Sequence, residues 1–405
     1  MKTLFKTFML TVCILCFGSI DVDAVSQVPT VGRVAQCDAG NSTVDVEWDA
    51  VIADGRVMYD VQYAQNSNGP WAYVNSEHYY RTSPRVHITG LSAAKRYYVR
   101  VRAYVKDGDN CVDGQWSAPI DVVTCHREAN LKPIQTGCTA DTITCTWTNS
   151  GADFYRVYWK GTDSTEMSID VPSTLAILTK LYNGMNYYVS VIPCMKSSTF
   201  TAFPKGYTPS TKMKTICEKP VCVIDNAYFN IGIIDVTANN YSTSNSDGFE
   251  YELLSYNNKS IVKGSYSGYK HVDISNKYFK KYQFFKARVR NFVSLNNGTC
   301  VFTPWSDWEW YGRNPDITKI KRSGDGLKLS WKKMKGVTNY TVYASTKEKS
   351  GFKKVVATKK TSYVVRKIKN KKLSSKKRYY FYVVANKKVG KHIFKTEADR
   401  SFCLN

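Results

Sequence analysis

The sequence predicts an all-β chain of four tandem β-sandwiches after a signal peptide, and three observations carry that expectation. First, Tyr97-Tyr98-Val99-Arg100-Val101-Arg102-Ala103-Tyr104 alternates apolar and polar residues as a half-buried strand does. Second, Leu91 stands six residues before Tyr97, and the same step separates Leu181 from Tyr187, Phe279 from Phe285 and Leu373 from Tyr379. Those second aromatics lie 90, 98 and 94 residues apart, a period that suits one small domain repeated and not one large core. Third, turn signals separate short alternating runs throughout, and no stretch has helical periodicity.

The chain opens Met1-Lys2-Thr3-Leu4-Phe5-Lys6, with two lysines ahead of the apolar run Phe8 to Phe17. Val22-Asp23-Ala24 then offers small or modest side chains where a signal peptidase reads, so residues 1–24 are expected to be a secretory signal. No later stretch approaches the ~18 uninterrupted apolar residues of a membrane span. A secreted or cell-surface product with no membrane span is therefore expected.

Of twelve cysteines, Cys13 and Cys16 fall in the signal and lack the small preceding residue that lipid attachment wants. Ten remain, an even number in a chain routed to an oxidising compartment, so disulfides are expected ahead of metal. Strand order suggests Cys37 with Cys125 and Cys138 with Cys217, each at one pole of a domain, and Cys222 with Cys300 at the opposite pole of the third. Cys138 could instead bridge to Cys145 across a hairpin, and spacing leaves the connectivity open.

The first copy runs from Val25 to Cys125. Val44-Asp45-Val46-Glu47-Trp48 and Tyr59-Asp60-Val61-Gln62-Tyr63 read as strands around Trp48. Val86 to Leu91 leads into the organising strand, Asp107-Gly108-Asp109-Asn110 makes a turn, and Gln115-Trp116-Ser117-Ala118-Pro119 begins a last strand that ends at Thr124. The order of a Trp-bearing strand, Tyr-x-Val-x-Tyr, Leu followed by Tyr-x-Val-x-Val-x-Ala, and Trp-Ser-x-Pro resembles a fibronectin type III domain, one of the immunoglobulin-like sandwiches. The resemblance implies a tyrosine corner, in which the hydroxyl of Tyr97, Tyr187 or Tyr379 bonds backbone across the turn before its strand.

The second copy, 126–217, repeats Ile143-Thr144-Cys145-Thr146-Trp147, Tyr155-Arg156-Val157-Tyr158-Trp159 and Leu181-Tyr182-Asn183-Gly184. The third, 218–313, is divergent: Ile231 to Val236 has no tryptophan, and Phe279 and Phe285 replace the corner leucine and tyrosine. It closes with Thr303-Pro304-Trp305-Ser306-Asp307-Trp308-Glu309-Trp310. The fourth, 314–405, carries Leu327 to Trp331, Tyr340 to Ala344 and Leu373 to Tyr379. Its lysine-rich hairpins, such as Ser350-Gly351-Phe352-Lys353-Lys354, resemble the fibronectin type III modules of secreted Gram-positive gut bacteria.

The net charge of +24 is concentrated there. Residues 314–405 hold 26 lysines and arginines against 5 acids, leaving +3 for everything before. Lys359, Lys360, Arg366, Lys367, Lys369, Lys371, Lys372, Lys376, Lys377 and Arg378 fall on strand ends and turns, a field suited to anionic polymers or to plain solvation. An export signal and the lack of a base-reading module turn the expectation from nucleic acid to an anionic cell-surface polymer.

No His-Glu-x-x-His, Gly-x-Ser-x-Gly or phosphate loop is present, and His78, His87, His126, His271 and His392 are scattered. A non-catalytic chain without cofactor or metal is expected. Asp107, Asp109 and Asn110 have the composition of a calcium loop, but Cys111 interrupts the alternation of oxygens such a loop needs, so a solvated turn is expected. That loop and 294–302 are nevertheless the expected ligand-facing regions, since loops on rigid scaffolds carry recognition.

Arg288 and Arg290 alternate with inward Ala287 and Val289, so they should form an interleaved ladder with Trp305, Trp308 and Trp310 on the outer face. The ladder reads first as a stiffening of the sheet. Trp-Ser-x-Trp, with Cys145-x-Trp147 one domain upstream, also resembles class I cytokine receptors, although Glu309 stands where that family has serine. Asn41, Asn240, Asn258, Asn297 and Asn339 begin glycosylation acceptor triplets, informative only in a eukaryotic product. The expected function is a secreted, non-catalytic binding, adhesion or spacer protein whose basic last module docks on an anionic surface or polymer. The alternative is a soluble, cytokine-receptor-like binder of an extracellular protein at the elbow between copies two and three.

Overall fold

Alternation along the longest strand of each repeat decides the architecture. In the computed structural model, Tyr97, Val99, Val101 and Ala103 are buried, as are Tyr187, Val189 and Val191, Phe285, Ala287 and Val289, and Tyr379, Phe381, Val383 and Ala385. The structure describes residues 27–107, 109–129, 131–162, 165–206, 210–225, 233–238, 246–267, 272–275, 284–312, 314–396 and 402–403. The signal segment 1–24, Ile231, Asn240, His271 and Phe279 lie outside them.

The first repeat pairs a sheet of β1 (Val34–Ala39), β2 (Val44–Trp48) and β5 (Arg85–Ile88) with one of β3 (Arg56–Ala64), β4 (Ala72–Tyr73), β6 (Arg96–Asp107), β7 (Asn110–Asp113) and β8 (Ile120–Val123). The second has β9 (Ile134–Cys138), β10 (Ile143–Thr146) and β13 (Leu175–Leu178), with β11 (Phe154–Gly161), β12 (Met167–Val171), β14 (Asn186–Lys196), β15 (Thr201–Ala202) and β16 (Thr211–Lys214). In the third, β17 (Cys222–Asp225), β18 (Ile233–Ala238) and β21 (Val272–Ser275) accompany β19 (Gly248–Ser255), β20 (Ser260–Ser267), β22 (Phe284–Ser294), β23 (Cys300–Phe302) and β24 (Glu309–Gly312). The fourth has β25 (Ile317–Ser323), β26 (Gly326–Trp331) and β29 (Ser362–Val365) with β27 (Asn339–Ser345), β28 (Lys353–Thr358), β32 (Tyr380–Val389), β33 (His392–Lys395) and β34 (Phe402–Cys403). A ribbon of β30 (Lys367–Ile368) and β31 (Lys371–Lys372) stands apart. The fold is tandem β-sandwiches, and no described helix is long and apolar enough to cross a membrane.

The expected last strand of the first repeat, Gln115 to Thr124, is strand only at β8, and β7 precedes it as a further strand. β7 and β8 both pair with β6, and between them Ser117 donates its N–H to Val101 O at 2.8 Å while its Oγ accepts from Val101 N–H at 3.1 Å. Pro119 has no N–H to give, so the ladder breaks there. Ser306 repeats both bonds with Val289, and Thr396 with Ala385.

Two hydroxyl latches recur. Tyr97, Tyr187 and Tyr379 accept hydrogen bonds from Ser92, Tyr182 and Ser374 N–H at 2.9, 2.7 and 2.9 Å, the tyrosine corner of three repeats. Tyr59, Tyr155 and Tyr340 accept from Val51, Ser150 and Met334 N–H at 2.9, 3.1 and 2.9 Å, a second latch at the turn before their own strand. Trp48 meets Tyr59 edge to face at 5.3 Å, and Trp331 meets Tyr340 at 5.7 Å. In the third repeat Phe249 and Phe285 are fully buried where the other repeats have latching tyrosines, and Phe285 packs on Tyr311 at 5.4 Å. Bulk replaces hydrogen bonding there.

The chain divides into two compact units, one of Met1–Ala129, Asn149–Tyr155 and Ile192–Thr208, the other of Asn130–Thr148, Arg156–Val191 and Pro209–Asn405. In the first unit Ala39, Val123 and Cys125 form one apolar cluster with Met195, Ala202 and Phe200. Gln36, beside a bulge in β1, accepts Val123 N–H at 2.9 Å and donates to Val123 O at 2.7 Å, and its own N–H goes to Thr199 Oγ1 at 3.1 Å. In the second unit Gln135 repeats this: it accepts Lys214 N–H at 3.1 Å, donates to Lys214 O at 2.7 Å, and sends its N–H to Asn296 Oδ1 at 3.1 Å. There Ile216 and Cys138 pack with Val293, Leu295 and Val301. Further along, Trp310 lies between Phe284 at 5.6 Å and Phe394 at 5.2 Å, and Gly336, at φ +80, faces Tyr256 so closely that a Cβ would strike the ring.

The expected disulfides are not formed: Cys37, Cys125, Cys138, Cys217, Cys222 and Cys300 are free thiols. Geometry explains each case. Cys37 is the extra residue of the β1 bulge and is half-exposed beside Arg85 and Glu47, whereas Cys125 is buried in the apolar cluster with Met195. Cys217 is buried and accepts Asn291 Nδ2–H at 2.8 Å, while Cys138 packs with Ile216 and Leu295. Cys222 lies in the third core and Cys300 on an exposed hairpin. Cys138 stands opposite Ile143 and not Cys145, which closes the hairpin alternative. Burial pushes the Cys145 and Cys222 thiols up to about 12 and Cys138 to about 11, so these groups are poor nucleophiles.

In the native chain a thiol-reactive maleimide should therefore modify Cys300 well before Cys145 or Cys222, which should react only after denaturation; mass spectrometry of time points checks the order. Tyr97→Phe and Tyr379→Phe should each cost about 1 kcal/mol in denaturant unfolding, since each strands a backbone N–H.

Candidate functional site

The basic residues of the fourth repeat separate into two groups because of where β29 begins and ends. Trp331 N–H donates to Thr361 O at 3.0 Å, so Lys359 and Lys360, in the turn before β29, lie at the end of β26 that Trp331 closes. Arg366 follows the other end, beside the β25–β26 turn, where its Nε bonds Asp325 at 3.0 Å. The β30–β31 ribbon leaves from Arg366 and returns at Leu373, whose N–H donates to Arg366 O at 3.1 Å. Lys367 stands directly opposite Lys372 across it, and Lys369 occupies its turn at φ 50.

After the ribbon, Ser374 N–H donates to Tyr379 Oη and Lys377 N–H donates to Ser374 O at 3.3 Å, a tight turn that exposes Lys376, Lys377 and Arg378. This turn and the β25–β26 turn flank a half-open cavity of about 450 Å³ lined by Arg322, Asp325, Lys376, Lys377 and Arg378, with Gly324 and Ser375 between them. Arg322 carries no mark of a site in the sequence, because it lies near the end of β25, far along the chain from the turn it meets across the cavity.

The arginines of the third repeat stand in an interleaved stack. Arg290 lies between Phe302 at 4.1 Å and Trp305 at 4.7 Å, Arg288 between Trp305 at 4.6 Å and Trp308 at 4.5 Å, and Lys286 lies 4.1 Å from Trp308. Glu250 and Glu252, their cross-strand neighbours, bind Arg290 and Arg288 at 2.6 Å. Trp310, expected in the ladder, meets it through Lys286, 5.7 Å from its ring, and otherwise packs between Phe284 and Phe394. The two arginines of this face are thus engaged within their own sheet.

The first repeat has a second stack that sequence reasoning missed. Arg100 lies 4.4 Å from Trp71 and 4.6 Å from Trp116, and Arg102 lies 4.8 Å from Trp116. The signal was present, because Trp116-Ser117 with Arg100-x-Arg102 matches Trp305-Ser306 with Arg288-x-Arg290. Arg102 also binds Asp60 at 2.9 Å, Glu77 at 2.8 Å and Asp113 at 2.7 Å, and His78 Nε2 is 2.8 Å from Asp113. Asp60, His78 and Asp113 have metal-ligand chemistry, but the guanidinium already supplies the positive charge among them.

Asp109 and Asn110 are exposed at the β6–β7 hairpin, and the side chain of Asp107 lies outside those described. The 294–302 hairpin, expected to face a ligand, is exposed from Asn297 to Cys300, while part of its base packs: Leu295 is buried with Ile216, and Asn296 receives Gln135 N–H.

Residues 29–123 match the family model described as the fibronectin type III domain. Among solved structures, the chain is similar to a two fibronectin type III domain segment from chicken tenascin, at 20% identity and TM-score 0.25, covering 46% of this chain and 100% of that one. It is also similar to the FN1–FN3 domains of chicken CNTN1, at 14% identity and TM-score 0.26, covering 70% and 98%. No curated protein matches the chain.

Trp305→Ala removes the ring shared by Arg288 and Arg290, at about 0.5 to 1 kcal/mol for each contact. The variant should unfold at lower denaturant than the parent and keep any polymer binding unchanged, as read by unfolding curves and retention side by side.

Proposed function

We propose that this chain, whose first sandwich matches the fibronectin type III domain, is an exported, non-catalytic modular binding protein. Its fourth sandwich docks on an anionic polymer or surface. The observation that carries this reading is the ribbon, where Lys367 faces Lys372 directly. Like charges opposite one another destabilise a strand pair, so a ribbon that served only structure would avoid them. Arg366, Lys376, Lys377 and Arg378 extend the same field, and Asp325 is already engaged by Arg366. The basic N-terminal segment with its apolar run supports export.

A receptor-like role for the Trp305 and Trp308 face has less support, because Arg288 and Arg290 are committed to Glu252 and Glu250. The test uses the full chain on immobilised heparin and on immobilised poly(glycerol phosphate). Retention is expected at low salt and loss within a few hundred millimolar, because exposed charges are screened over about 8 to 10 Å near physiological salt. Joint reversal of Lys367, Lys369, Lys371 and Lys372 to Glu should abolish retention; retention by that variant equal to the parent would refute the reading.

A further inference from the structure

We propose that the cavity between the β25–β26 turn and the Leu373 to Tyr379 turn is a binding site for a tetrahedral oxyanion ester, a phosphate or sulfate carried on a polyhydroxylated chain. It rests on the polymer-docking reading and adds to it one defined subsite. Three observations converge. The cavity holds about 450 Å³, room for an esterified sugar or polyol unit and not only for the anion. Among the described residues, Arg322, Lys376, Lys377 and Arg378 line it with one acid, Asp325, whose carboxylate Arg366 bonds.

The third observation is the use made of the same place elsewhere in the chain. Counted from the leucine of the corner, Arg378 corresponds to Arg96, since Leu373 to Tyr379 matches Leu91 to Tyr97. Arg96 binds Asp121 and reaches Asp153 at 3.2 Å and the Lys196 carbonyl at 2.8 Å, so in the first unit this position holds two carboxylates and a peptide oxygen. One arginine suffices there for carboxylates. The fourth sandwich gathers four cations around its cavity, a number that suits an oxyanion able to accept several charge-assisted hydrogen bonds at once.

The experiment titrates the full chain with glycerol 3-phosphate, glucosamine 6-sulfate and a short glutamate peptide. Saturable binding of a phosphate or sulfate probe is expected, and whichever binds more tightly names the source. Arg322→Ser with Lys377→Ser should weaken it at least tenfold, Arg322→Lys should keep it within about threefold, and thermal unfolding of each variant checks folding. Binding that is unchanged in the double variant, or tighter for the glutamate peptide, overturns the subsite. Polymer retention that persists in that case leaves the docking reading standing, whereas failure of the parent chain to be retained on either polymer sinks both.

Discussion

A β-sandwich leaves the ends of its two sheets open, and apolar side chains at such an end stay wet unless something covers them. In this chain a hairpin from further along covers them, and one glutamine makes the cover specific. Gln36 and Gln135 each close the last strand of their own sandwich with both side-chain functions, then offer a backbone N–H to Thr199 or Asn296. Apolar clusters beside these bonds complete the seal. The bonds set which residues meet, and burial supplies the larger share of the stabilisation.

The fold class was legible because alternation has a period of two and a core face cannot tolerate a slip. Tyr97, Tyr187 and Tyr379 were legible for the same reason, since each opens such a run. The second latch at Tyr59, Tyr155 and Tyr340 was not, because its partner is a backbone N–H whose sequence carries no mark. The covering contacts were also hidden: Asn296 lies in a loop expected to face a ligand, Thr199 carries no mark in the sequence, and only the folded chain brings them to Gln135 and Gln36. An even cysteine count suggested pairs, yet Cys37, the extra residue of a bulge, is a half-exposed free thiol while Cys125 is a buried one. Likewise the lysines read as one cluster, and β29 separates Lys359 and Lys360 from the rest.

The third repeat shows how one sandwich can lose several fixtures and keep its form. It has no tryptophan in its second strand and has phenylalanine at both latching positions, and its outer face carries the longer cation and ring stack. Charge and ring contacts between β22 and the segment from Phe302 to Trp308 there add stiffness where hydroxyls are missing.

The unbridged thiols have a mechanical consequence. A sandwich held by hydrogen bonds and burial alone has no covalent stop, so a pull on its two ends can draw out its entire length, about 300 Å for some ninety residues. Such a chain would lengthen stepwise under load and could give way one bead at a time before its attachment failed.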